Sequence, residues 1–302
     1  MSFVQKAIEK LQSQTKQPAV QASTRAPAAS AEPAIAVVPE PPKPRAPFQP
    51  KQTIALNRSA LVRSGLLPDA AASRRVAEQF RRIKRPLLRN VQGRGAEPVD
   101  RANLLLVASA LAGEGKTFTT MNLAFSLALE RDVSVVLIDA DVAKPHISRE
   151  LGLGDAPGLL DALADPSIDI EDLVYGTDEP SLYFLPAGRR SEFANELLES
   201  DRMLEICATL TQRQPNAVLL FDSAPLLLTN EGVAVSHIVG QVVLVVRAGV
   251  TPRVAVQEAI SNIGDGPRVG VVLNQASVTL GQQGYYNYGA YGSPVADERP
   301  GG

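Results

Sequence analysis

In "ASALAGEGKTFTT", residues 108–120, a lysine and a threonine follow two closely spaced glycines. Glycines let backbone N–H groups converge on phosphate oxygens, and a following helix offers its positive end. Lys116 can then reach the β- and γ-phosphates, and the Thr117 hydroxyl can ligate Mg²⁺. Ala110 stands where GxxxxGK[ST] has its first glycine. The expected phosphate cradle is Ala110, Leu111, Ala112, Gly113, Glu114, Gly115, Lys116, Thr117 and Phe118. Two carboxylates follow in "VVLIDAD", Asp139 and Asp141. Two residues apart on an extended chain, they point the same way, towards a metal or an incoming hydroxyl. Asp222, in "LLFDSAP", fits a carboxylate that holds the metal through water. The expected catalytic set is Lys116, Asp139 and Asp141, and the metal set is Thr117, Asp141 and Asp222. The spacing does not separate the roles of Asp139 and Asp141.

Such residues need strand ends to hold them. Six near-continuous apolar runs supply these: "NLLLVAS", "VSVVLID", "SLYFLPA", "AVLLFDS", "QVVLVVRA" and "RVGVVLN". Continuous rather than alternating runs suit strands covered on both faces. Helical segments such as "GKTFTTMNLAFSLALE" separate them. The pattern predicts an α/β fold, a doubly wound and mostly parallel sheet with helices on both faces. Asp139, Asp141 and Asp222 then lie at carboxyl ends of strands, where such sheets bind ligands.

Around this unit the sequence predicts a short N-terminal amphipathic helix over 1–16 and an Ala/Pro-rich linker over 17–52. The linker holds nine of the 23 prolines and cannot bury enough surface to fold. A nucleotide-binding domain covers 53–280, and a Gly/Tyr-rich tail covers 281–302. Within the domain, "AASRRVAEQFRRIKRPLL" predicts a basic amphipathic helix over 70–90 with Val76, Phe80 and Ile83 on its apolar side. Pro86 should end or kink it. The single cysteine, Cys207, excludes an intramolecular disulfide and suits a reducing compartment. A net charge of −2 gives no argument for nucleic acid. No apolar run reaches the roughly 18–20 residues of a membrane span. The expectation is a cytoplasmic chain whose membrane role comes through a partner.

The three strand-end motifs, in this order, resemble the deviant Walker superfamily of P-loop proteins. Its partitioning ATPases carry a signature lysine where this chain has Leu111. What remains is similar to the bacterial tyrosine kinases, and within them to the exopolysaccharide-locus autokinases without a fused membrane domain. "EQFRRIK" resembles that family's ring-forming ExxRxxR helix, with Lys84 in place of the last arginine. The resemblance implies Glu78, Arg81 and Lys84 as subunit contacts. It also implies Asn274, in "VVLNQ", as the adenine reader. Ala112, Ala143 and Ala224 are departures from the family's usual residues.

Four of the chain's six tyrosines, Tyr285, Tyr286, Tyr288 and Tyr291, sit in "GYYNYGAYG". Glycines disfavour a stable helix there. The resemblance implies a phosphoacceptor cluster, modified from ATP·Mg²⁺ by a neighbouring subunit in a ring-like oligomer. It further implies control of exopolysaccharide synthesis or export, activation by a membrane polysaccharide co-polymerase, and reversal by a tyrosine phosphatase. Four phosphates would place roughly −6 to −8 charges on the cluster, weakening subunit association. The competing readings are a MinD/ParA-like partitioning ATPase and a weakly catalytic nucleotide-binding adaptor.

Overall fold

The computed structural model describes residues 49–212 and 216–276. The expected helix over 1–16, most of the linker over 17–52, and the tyrosine cluster lie outside the described residues. The strands are β1 (Gln52–Ile54), β2 (Leu104–Ser109), β3 (Ser134–Ala140), β4 (Tyr175–Thr177), β5 (Leu182–Leu185), β6 (Ala217–Ser223), β7 (Gln241–Arg247) and β8 (Arg268–Asn274). They form one sheet in the order β1-β4-β5-β3-β6-β2-β7-β8. Every pairing is parallel except β4 with β5. The six apolar runs of the sequence are β2, β3, β5, β6, β7 and β8. The short β1 and β4 carry no such run. β1 begins at Gln52, one residue inside the expected linker.

The helices are α1 (Arg58–Arg63), α2 (Ala70–Val91), α3 (Lys116–Ala128), α4 (His146–Glu150), α5 (Leu159–Ala164), α6 (Ala194–Leu198), α7 (Asp201–Gln212), α8 (Glu231–Ile238) and α9 (Arg253–Ile263). Alternate residues of each central strand feed opposite faces of the sheet. Leu104, Leu106 and Ala108 of β2 join a core built with α5 to α9. Leu105 and Val107 join a second core built with α1 to α4. This two-sided burial explains why the inner strands read as continuous apolar runs. The edge strand β8 departs from that expectation, since Val271 and Leu273 are 53% and 66% exposed. Among the described residues no helix is long and apolar enough to cross a membrane.

Two expectations for the basic helix are corrected. First, α2 does not end at Pro86 but runs through it to Val91. Pro86 is exposed, so the helix bond that its missing N–H forgoes falls on the solvent side. Second, the apolar stripe finds its partner in the same chain. Phe80, Lys84, Leu87 and Leu88 are the buried residues of α2, at the spacing of one helix face. Phe80 meets Phe118 of α3 edge-on, with ring centroids 6.3 Å apart. Lys84 therefore points inward, donating to the Ser126 carbonyl at 2.5 Å and pairing with Glu130 at 2.7 Å. It is a strut between α2 and α3 in place of the expected subunit contact. Glu78 and Arg81 are exposed.

Candidate functional site

The loop after β2 is shaped by its glycines. Gly113 and Gly115 have φ of 78° and 92°, values that side chains with a Cβ rarely adopt. Gly115 caps α3, so backbone N–H groups and the helix's positive end face the same space. The loop is stapled from inside. The Glu114 carboxylate, 3% exposed, accepts from the Leu111 N–H at 2.8 Å and from the Thr251 hydroxyl. Ser109 Oγ donates to the Leu111 carbonyl at 2.8 Å. Asn274, the last residue of β8, donates to the Glu114 carbonyl at 2.9 Å. A Cβ on Gly115 would land on that Asn274 amide. Asn274, expected as the adenine reader, has its amide engaged by loop backbone. The Phe118 side chain turns away into the α2–α3 core, leaving only its backbone for a phosphate. Ala110 is fully buried.

Lys116 opens α3 and lies between the carboxylates. Its Nζ is 3.0 Å from Asp141 Oδ2 and 3.4 Å from Thr117 Oγ1. Burial works against its charge, but Asp222, Asp141 and Asp139 outweigh that and raise its pKa above the ordinary lysine value. Asp139 and Asp222 face each other in register across β3 and β6, and neither has exposed surface. Asp139 Oδ2 accepts from the Ser148 N–H and hydroxyl at 2.8 and 2.7 Å. Burial, then the charge of Asp222, pushes the Asp139 pKa up to about 7. Asp222 Oδ1 accepts from Thr120 Oγ1 at 2.8 Å. Burial raises its pKa as well, against the pull of Lys116.

One oxygen of each inner carboxylate, Asp139 Oδ1 and Asp222 Oδ2, is buried without a partner. Buried acceptors in that state are costly, and a hydrated cation would satisfy them. Among the described residues no three carboxylate, histidine or cysteine side chains are placed to hold a metal by themselves. Mg²⁺ suits such a place, because it keeps several waters and takes one or two carboxylates plus phosphate oxygens. The donor set and glycine cradle therefore fit a nucleotide with Mg²⁺. The structure brings together Lys116, Thr117, Asp139, Asp141, Asp222 and Asn274. Three partners escaped the sequence reading: Thr120, Ser148 and Thr251. Thr120 follows Lys116 by four residues on one helix face, a signal that could have found it. Ser148 and Thr251 act only through tertiary contacts. Cys207 is buried, and burial pushes its thiol up to about 12, which keeps it inert.

Residues 105–250 match the CobQ/CobB/MinD/ParA nucleotide binding domain. Tyrosine-protein kinase Wzc of Salmonella typhi is 30% identical over 191 residues, 63% of this chain. The chain spans only 26% of the length of that relative. Tyrosine-protein kinase YwqD of Bacillus subtilis is 28% identical over 63% of this chain and 77% of its own length. The solved VpsO kinase domain is 32% identical, with a TM-score of 0.51, covering 58% of this chain and 85% of that domain. The chain belongs to the bacterial tyrosine-kinase family. The BceF tyrosine kinase domain, 24% identical with a TM-score of 0.56 over 74% of this chain and 92% of that one, shares the family's fold. Membership fits the mostly parallel sheet, and the glycine loop lies within the matched nucleotide binding domain.

Proposed function

We propose that the chain is an ATP-dependent protein-tyrosine autokinase. In this reading it phosphorylates Tyr285, Tyr286, Tyr288 and Tyr291 of a neighbouring copy, with Mg²⁺, in a ring-like oligomer contacted through Glu78 and Arg81. The observation that carries it is Lys116 held against Asp141 beside two buried carboxylates that each keep one oxygen free. Bound Mg²⁺ neutralises charge on the phosphoryl oxygens. Thr117, Asp141 and Asp222 would hold the ion, with Lys116, now paired with Asp141, available to the phosphate. The tyrosine oxygen gains the γ-phosphoryl group as the bond to the ADP oxygen breaks, and the phenolic proton leaves to a carboxylate. A free tyrosine has a pKa of about 10, so that proton departs during transfer rather than before it. Asp139 is the candidate to orient or deprotonate the tyrosine hydroxyl, and it has no exposed surface in the ligand-free chain. The wider role is control of exopolysaccharide synthesis or export. A membrane polysaccharide co-polymerase activates the chain at the inner membrane, and a tyrosine phosphatase resets it.

The test is peptide mass spectrometry after incubation with ATP·Mg²⁺, beside Lys116→Met, with and without a co-polymerase fragment. Phosphate on the tail tyrosines of the wild type, and none on the variant, is the expected result. ATP turnover with an unmodified tail would replace the kinase reading with a partitioning-type ATPase. Binding without turnover would leave a nucleotide-binding adaptor.

A further inference from the structure

Beside the segment that carries Asp141 and Ser148 lies a cavity of about 540 Å³. Arg149, Arg189 and Arg190 line it, with Asp155 as the one acidic residue of the lining. No residue of the 110–118 loop lines it, so it is separate from the phosphate cradle. Each guanidinium is braced by one bond that leaves its other N–H groups available. Arg149 Nε donates to the Pro145 carbonyl at 3.1 Å. Arg190 Nη2 donates to the Ala143 carbonyl at 3.1 Å. Arg189 Nε pairs with the buried Asp161 carboxylate at 2.6 Å. Braced, planar guanidinium groups converging on a hollow are a recognition device for phosphate, which they bind two oxygens at a time. The space exceeds what a bare phosphate fills. Its walls include Pro145, Gly154 and Gly188, which leave room for a flat ring against the guanidinium faces.

We propose that this cavity is a phosphotyrosine subsite that captures a modified tyrosine of a neighbouring copy's C-terminal cluster. The inference rests on the autokinase reading for its ligand. The cavity and the catalytic carboxylates share one segment: Arg190 holds the Ala143 carbonyl, while the Lys144 N–H bonds back to Asp141 Oδ1 at 3.2 Å. Ser148, which grips Asp139, precedes Arg149 directly. A tail anchored by one phosphate is thereby kept at the carboxylate end for transfer to the next tyrosine. Modification of the cluster becomes progressive, with the first phosphate favouring the second.

The experiment measures binding of synthetic peptides spanning residues 284–292 to the full chain, without ATP. One peptide is unmodified, one carries phosphotyrosine at Tyr286, and inorganic phosphate is the third probe. The phosphopeptide should bind about tenfold or more tightly than either of the others. Arg149→Gln and Arg190→Gln, alone and together, should each remove much of that preference, whereas Arg149→Lys should restore only part of it. Thermal melting of each variant separates loss of the site from loss of the fold, and the exposed Arg149 gives the single variant least able to unfold the chain. Equal affinity for phosphopeptide and phosphate would overturn the subsite, as would a preference unchanged in the arginine variants. Lys116→Met should capture the phosphopeptide as the wild type does. Capture by a wild-type chain that makes no phosphotyrosine when incubated with ATP·Mg²⁺ would retain the subsite and sink the autokinase reading. Self-phosphorylation without capture would do the reverse.

Discussion

Asp139 and Asp222 are two carboxylates facing one another inside the sheet, and both raise the pKa of Lys116. Because the Asp139 pKa is raised from 3.8 to about 7, the folded chain binds that proton more tightly than the unfolded one. The stability this gives is complete below the unfolded value and is lost as pH rises to about 7. The full rise is worth at most about 4 kcal/mol. Asp139→Asn should therefore stabilise the ligand-free chain more at pH 8 than at pH 5, by about 1–3 kcal/mol. Melting curves at the two pH values check this, and equal effects at both would contradict the raised pKa. The same variant should lose tail phosphorylation. Gly115 poses the opposite case. Its φ of 92° and the Asn274 amide beside it leave no place for a methyl group. Gly115→Ala should cost about 1–3 kcal/mol of stability and weaken nucleotide binding at least tenfold by titration calorimetry.

In α2 the apolar period was legible, but its partner was not. Phe80, Leu87 and Leu88 repeat at helical spacing, and sequence alone cannot say whether α3 or another subunit receives them. Lys84 made the inference harder, since a lysine on a basic helix reads as solvated while its ammonium is in fact buried at the end of α3. Lys84→Met keeps the stem's packing but leaves the Ser126 carbonyl without this donor, and should cost about 1–3 kcal/mol in denaturant unfolding. Arg81→Ala, on the exposed side of the same helix, should leave that unfolding curve within about 0.5 kcal/mol. If Arg81 forms the subunit contact, light scattering should show the Arg81 variant shifted to smaller assemblies. A comparable loss of stability in both variants would contradict the division of the helix into an inner and an outer face. The short strands β1 and β4 were illegible for a related reason: three residues each carry too little period, and pairing alone defines them.

For the molecule as a whole, the order of loop, paired aspartates and later aspartate was enough to assemble the site, because parallel strands put all their carboxyl ends on one edge. Ser148, in the short helix α4, and Thr251, from a distant turn, hold Asp139 and the loop and leave no local pattern. The arrangement of tyrosines carries the last prediction. Beyond the tail cluster the chain has only Tyr175 and Tyr183, which lie in the paired strands β4 and β5, and Tyr175 is buried. Phosphate should therefore be confined to the tail, and changing all four tail tyrosines to Phe should abolish it while leaving nucleotide binding intact. That four-Phe chain keeps its catalytic groups but has no acceptors, whereas Lys116→Met keeps its acceptors without the lysine that meets the phosphate. Neither should become phosphorylated alone. Mixed together with ATP·Mg²⁺, they should yield phosphotyrosine on the Lys116→Met chain, distinguished by mass. Transfer between copies requires this outcome, because the only intact active site and the only tail tyrosines then belong to different molecules. If the mixture stays unmodified while wild type modifies itself, a chain phosphorylates its own tail, and the proposed subunit contact at Glu78 and Arg81 has no catalytic purpose.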